Sequence, residues 1–201
     1  MKRLAVVGSA LSGGAAQIID AVGTHKEFVV VAIFDSDESA MGRQIFGVPV
    51  LSSSDAVREY YDLDFFDEVI IAIGGDLVER ERIFIDLISL NIPLANVIDS
   101  SAQLRSNAVI GVGNVILGNV FIGPGVTIAD NCYVISGTTI NHDCKVGSHT
   151  YFSSGCTLAG NVVVGERVRF DTASGAKANT VIGDDEYIYP GKIVTSKTRR
   201  T

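Results

Sequence analysis

Along the second half of the chain an apolar residue stands at every sixth position without a slip: Leu104, Ile110, Ile116, Ile122, Ile128, Val134, Ile140, Val146, Phe152, Leu158, Val164, Phe170, Ala176, Ile182, Ile188 and Val194. Neither the helical period of 3.6 nor strict alternation gives this spacing, whereas a short strand followed by a tight corner, repeated, does. Four positions after each of these residues the side chain is usually small or β-branched, as at Ala108, Val120, Cys132, Thr138, Val162 and Thr180. The position directly after is often glycine or alanine, as at Gly111, Gly123, Ala129, Gly147, Ala159 and Gly165. Three corners close one triangular coil, so the hexads predict about 18 residues per coil and about five coils between residues 104 and 194. Stacked at about 4.8 Å, the coils would point their apolar residues inward as ladders, each buried side chain contributing about 1.5 to 3 kcal/mol. Gly and Asn at the corners supply the positive φ angles that tight turns need.

The first half has a different rhythm. Arg3 to Val7 reads as a strand, followed by the glycine loop Gly8-Ser9-Ala10-Leu11-Ser12-Gly13-Gly14 and a helix from Ala15 to Val22. Phe28 to Phe34 is a second apolar strand, expected to be buried, ending in Asp35-Ser36-Asp37-Glu38. A short strand over Val48 to Leu51, a helix over Ser54 to Tyr61 capped near Ser54 or Asp55, a strand over Glu68 to Ile73 and a helix over Leu77 to Leu90 complete the alternation. Such alternation predicts a parallel sheet of Rossmann type. The chain thus reads as an α/β N-terminal domain, residues 1–100, followed by a parallel β-helix, residues 101–201.

Composition narrows the classes. Hydrophobic residues make up 47% of 201 positions, enough for two small cores. A net charge of −7 argues against a nucleic-acid surface, which requires a basic patch. The one basic run, Lys192, Lys197, Arg199 and Arg200, reads as a solvated tail. The apolar stretch after Met1 ends at Gly8, too short for a signal peptide, and no segment is long enough to span a membrane, so a cytoplasmic location is expected. Cys132, Cys144 and Cys156 are twelve apart. A coil of about 18 residues sends each to a different face, which favours packing over a shared metal or disulfide.

The loop between the first strand and helix can hold a phosphate on backbone N–H groups, and an acid ending the second strand can bind a ribose or base. Gly8, Gly13 and Gly14 do not form G-x-G-x-x-G, which argues against a dinucleotide. The loop is then either a ligand-free turn or a site for another nucleotide-linked group. Among the three histidines only His142 has a chemical setting, in Asn141-His142-Asp143-Cys144 at a corner of the coil. A carboxylate beside an imidazole orients it as a general base. On spacing alone His142 is either that base or a polar corner. His149 and His25 read as solvated, and no nucleophile elbow surrounds Ser153-Ser154-Gly155.

Taken together, Gly8 to Gly14, Asp35, Ala72-Ile73-Gly74, the hexad array and Asn141 to Gly147 resemble the NeuD/PglD-like sugar acyltransferases, over about residues 3 to 195. The resemblance implies a left-handed β-helix homotrimer with active sites between subunits, acetyl-CoA as co-substrate, no metal, and N-acetylation of a nucleotide-linked amino sugar for bacterial surface glycans. O-acetylation of a sialic-type sugar and a non-catalytic β-helix scaffold are the alternatives. It assigns His142 as the base, Asp143 as its partner and the Gly160 amide as the oxyanion donor, with Tyr151 and Ala178 beside the acyl donor. It also assigns Ser12, Gly13, Gly14, Asp35, Ser36 and Gly74 to the nucleotide-sugar. The chain departs from the family pattern at Gly14 and Tyr151, where histidines are common, at Asp171, where glycine is common, and in lacking a closing G-x-P-A-K segment.

Overall fold

In the computed structural model, which describes residues 1–8 and 11–195, the chain divides into Met1–Ser100 and Ser101–Thr201. The basic run of the sequence extends beyond Lys192 into Lys197, Arg199 and Arg200, which lie outside the described residues, as do Ser9 and Ala10 of the glycine loop.

Each hexad of the second unit folds as a two-residue strand and a corner. Thr139 pairs in parallel with Phe121 on one side and Thr157 on the other, Lys145 with Thr127 and Val163, and Tyr151 with Tyr133 and Arg169. Every partner is one 18-residue coil away, so three parallel sheets rise around one core, an arrangement that fits a left-handed β-helix. All of the ladder residues are buried except Leu104, 38% exposed, and Ile110, half-buried. Those two sit on the edge strands of their sheets. Phe152 and Phe170, adjacent in one ladder, stack with centroids 4.7 Å apart.

The corners are uniform. From Asn107 to Gly191, one residue in six has φ between +55° and +76°. From Gly125 onward its N–H donates to a carbonyl in the corner of the preceding coil, as Asp143 does to Pro124 at 3.0 Å and His149 to Asp130 at 2.9 Å. These bonds hold even Arg167 and Ala173 in a conformation that L-residues otherwise avoid. The glycines directly after ladder residues are small for a different reason. A Cβ on Gly147 would lie 2.5 Å from the Gly165 carbonyl carbon of the next coil. Cys132, Cys144 and Cys156 are free and buried at three different corners, each S–H directed at a carbonyl, Gly147, Ala159 and Asp171 respectively. Burial pushes the Cys144 and Cys156 thiols above their ordinary pKa.

In the first unit β1 (Lys2–Val7), β2 (Phe28–Phe34), β4 (Val48–Ser52) and β5 (Glu68–Ile71) run parallel, with β3 (Gln44–Ile45) forming an antiparallel hairpin with β4. The sheet order is β3-β4-β2-β1-β5. Helices α1 (Gly14–Gly23), α2 (Val57–Asp62) and α3 (Leu77–Ser89) alternate with the strands. Ala5, Val7, Phe34, Phe66, Ile71, Phe84 and Leu87 form the core on one face.

Three local expectations are corrected. The segment Ser54 to Tyr61 begins as a 3-10 turn, Ser54–Ala56, whose flanking Ser53 makes no side-chain cap, and becomes α-helical only at Val57. Strand β5 ends at Ile71 instead of Ile73, because the Ile71 and Ile73 carbonyls turn to a buried guanidinium, that of Arg80. In β2, Val29 is 41% exposed although the whole run is apolar.

Candidate active site

One corner column of the coil contains Ser106, Pro124, His142, Gly160 and Ala178, each 18 residues apart. His142 follows the strand Thr139–Ile140, and Asp143 occupies the positive-φ position at +59°. That turn sets the Asp143 carboxylate beside its neighbour, with Oδ2 2.9 Å from His142 Nδ1. A carboxylate only accepts, so in the neutral ring Nδ1 carries the hydrogen and Nε2 is left as an acceptor. Both side chains are more than half exposed, at 54% and 63%.

The imidazole lies against Gly160 in the next coil. A Cβ built there would overlap Nε2 and stand 2.5 Å from Cε1 of His142. Two comparable corners show what surrounds the Gly160 amide by contrast. Val112 N–H and Glu166 N–H are each taken, at 2.8 Å, by an aspartate one coil on, Asp130 and Asp184. In the His142 column that place is held by the exposed Ala178, which brings no acceptor. Among the described residues no acceptor lies on the Gly160 N–H. The Nε2 lone pair of a neutral His142 ring and an unengaged backbone donor therefore share one corner, the kind of pair that acyl transfer needs.

Tyr151 belongs to another face of the coil, and within one chain the fold does not bring it to His142. It is buried, 6.1 Å from the Tyr133 ring, with the Arg169 guanidinium 5.3 Å above it, and desolvation raises its phenol pKa. Asp171 accepts from the Tyr187 hydroxyl at 2.6 Å, a bond that lowers its pKa. The reading of His149 as solvated is corrected: it is 8% exposed, and its Nδ1 lies 2.8 Å from Asn131 Nδ2 in the coil below. His25 is exposed.

In the first unit the predicted substrate residues gather at the carboxyl ends of the parallel strands. Gly8 directly follows β1, its N–H donating to Phe34 O at 2.7 Å. Ser12 and Gly13 are exposed, and Gly13 precedes α1 in a left-handed conformation (φ +92°). Helix α1 starts at Gly14 with no side-chain cap and no acid in its first turn, the kind of helix end whose backbone N–H groups can donate to an anion. Asp35, 8% exposed, directly follows β2 and accepts the Asp37 N–H at 2.9 Å. Ser36 shares a hydroxyl hydrogen bond with Ser54, and half-buried Gly74 lies just past β5. The order reverses between β1 and β5, and open α/β sheets bind ligands at such a crevice.

The sequence reading took Ser54 only as a helix cap and did not single out Arg80. Arg80 was detectable, because it replaces an apolar residue in the buried stripe Ile83, Phe84, Leu87 of α3. No group of three or more His, Cys, Asp or Glu among the described residues can hold a metal ion, and no helix among them is long and apolar enough to cross a membrane.

The chain resembles the hexapeptide-repeat sugar N-acetyltransferases, the class that its structural neighbours define. PerB from Caulobacter crescentus, solved with CoA and GDP-perosamine, is 25% identical over 98% of this chain and 91% of its own, with a TM-score of 0.89. A histidine-to-asparagine variant of perosamine N-acetyltransferase from the same organism, also with CoA and GDP-perosamine, is 26% identical over 96% and 89%, at 0.88. The acetyltransferase domain of PglB from Neisseria gonorrhoeae shares the fold at 24% identity, 99% and 94% coverage and 0.86. No family model and no curated protein matches the chain in sequence.

Proposed function

We propose that the chain is an acetyl-CoA-dependent N-acetyltransferase acting on a nucleotide-linked amino sugar in bacterial surface glycan synthesis. The observation that carries this reading is the Asp143-tethered His142 ring lying against Gly160, whose N–H has no acceptor. The neighbours solved with CoA and GDP-perosamine support the two substrate classes.

Transfer is direct. The neutral sugar amine attacks the thioester carbonyl carbon, and His142 Nε2 takes the proton that the nitrogen sheds. The Gly160 N–H holds the oxyanion, and the C–S bond then breaks. The thiolate leaves and receives the proton from the imidazolium, which the Asp143 carboxylate has stabilised. The Rossmann-like first domain, residues 1–100, holds the nucleotide, with Ser12, Gly13 and Gly14 at the phosphates, Gly74 across the crevice and Asp35 with Ser36 at the ribose or base. The β-helix domain, residues 101–201, assembles as a homotrimer in the cytoplasm. A neighbouring subunit closes the open side of the His142 corner, and Tyr151 and Ala178 meet the acyl donor.

The test is acetyl transfer to GDP- and UDP-linked amino sugars, followed by thiol release, in wild type and His142→Ala. Turnover with one of them, lost in the variant while acetyl-CoA still binds, supports the proposal. Full turnover in the variant overturns the base assignment, and wild-type transfer to none of the amino sugars overturns the activity.

A further inference from the structure

Arg80 is fully buried, at 0% exposure, on the core face of α3. A guanidinium is always charged and costs much more to desolvate than the leucine or methionine that this stripe otherwise calls for. Two of its hydrogen bonds show what it holds. Nη1 donates to Ile71 O at 2.7 Å and to Ile73 O at 2.9 Å, the carbonyls on either side of Ala72. The Ala72 N–H in turn donates to Val7 O at 2.8 Å. The chain leaving β5 is thus fastened on one side to β1 and on the other to α3.

That fastening reaches both loops of the crevice. Gly74 follows Ile73 directly. The Ile73 side chain lies so close to Gly8 that a Cβ there would stand 2.5 Å from Ile73 Cγ1. Gly8 itself, at φ +81°, turns the chain out of β1 toward Ser12, Gly13 and Gly14. Moving Ile73 therefore moves the floor beneath the glycine turn as well as the position of Gly74.

We propose that Arg80 is a positioning residue for the nucleotide end of the substrate. By holding the Ile71 and Ile73 carbonyls, it sets the spacing between the β1 and β5 loops and places a permanent positive charge beneath a crevice that takes phosphates. The proposal rests on the nucleotide-sugar reading above, and it assigns to Arg80 an effect on nucleotide affinity separate from acyl-donor affinity.

Calorimetric titration with GDP and UDP, which needs no acetyl transfer, tests it on the full-length chain. Arg80→Met, of matching length but uncharged, should weaken the nucleotide that wild type binds by about tenfold or more, as loss of a supporting hydrogen bond does elsewhere, while the KM for acetyl-CoA stays within about twofold. Arg80→Lys keeps the charge but not the two-carbonyl reach, and should recover part of the loss. A general loss of packing would instead raise both constants together or lower thermal stability with no such split, and that result overturns the proposal. So does an Arg80→Met variant that binds the nucleotide as wild type does, a result that leaves the nucleotide-sugar reading intact. If wild type binds neither nucleotide, that reading fails and takes this one with it. Should Arg80→Met not fold, Arg80→Lys decides, and an unchanged nucleotide Kd in it overturns the assignment.

Discussion

The imidazole of His142 occupies the space that a methyl group on Gly160 would need. Two residues 18 apart in sequence are so placed that one must lack a side chain for the other to reach its position. Glycine at 160 is therefore a condition of the site, since its backbone does not require the positive φ that would call for glycine elsewhere.

Gly160→Ala should push the ring aside and shield the amide. We expect kcat to fall by about 10²- to 10³-fold, as when an oxyanion donor is lost. The clash is with a half-exposed side chain that can rotate, so the melting temperature should stay within a few degrees of wild type. A variant with normal kcat would show that neither the ring nor the amide acts in the reaction.

Gly175→Ala makes the opposite prediction. Its Cβ would overlap the Thr157 carbonyl oxygen and lie 3.0 Å from the carbonyl carbon, and backbone cannot swing away. The expected cost is about 1 to 3 kcal/mol in denaturant unfolding, the range for an overpacked core. Equal stability of the two alanine variants would contradict this distinction.

Asp143→Asn tests the tether without disturbing the turn, because Asn is at ease at φ +59°. The amide can present its N–H₂ group or a weaker acceptor to Nδ1, and kcat should drop by about 10- to 100-fold. His142→Ala should cost about 10²- to 10⁴-fold. The double variant should be little worse than His142→Ala alone; independent, multiplying effects in steady-state kinetics would separate the two residues.

Phe152→Ala removes one ring of a stacked pair in a ladder that is fully buried. Loss of about 3 to 5 kcal/mol is expected, visible as a lower midpoint in urea. A change below 1 kcal/mol, roughly the scale of a surface substitution, would mean that the ladder is not the stabilising core.

Acid should act on the first unit through Asp67. The Arg3 guanidinium and backbone N–H hold its carboxyl down at about 2, against 3.8 for the free group. A depressed pKa means that the folded state binds the proton less readily than the unfolded one. The stabilisation is therefore complete above the unfolded value and disappears as pH falls from about 4 through about 2. Asp67→Asn should flatten the melting curve's dependence on pH in that window, and an unchanged slope would remove Arg3–Asp67 from the account.

The coil was legible in the sequence because its repeat is commensurate with its geometry: one hexad is one strand and one corner, and nothing distant is needed to place Ile140 or Phe170 inside. Edges are where that logic stops. Leu104 obeys the period but lies on an edge strand and is exposed. His149 shows a different limit, since its burial depends on Asn131, 18 residues earlier, and only the coil register brings them together. In the first half the strands announced themselves by composition, while the end of β5 did not. It is decided by Arg80, whose hydrogen bonds reach back across a loop. The corner of His142 and Asp143 was visible as a dipeptide, but the unengaged Gly160 amide goes with an alanine at 178 where two other corners have an aspartate.

The vertical register of the corners has an evolutionary consequence. Ladder positions carry the folding energy, whereas the column Ser106, Pro124, His142, Gly160, Ala178 faces outward and contributes little to it. Reactive groups can therefore be exchanged along this column as on a rail, one coil at a time, without renegotiating the interior. Gain or loss of a complete coil preserves the alignment of everything beyond it. A single-residue insertion inside a hexad does not, since it would turn each later ladder residue toward solvent and set side chains against the glycines that let the coils touch.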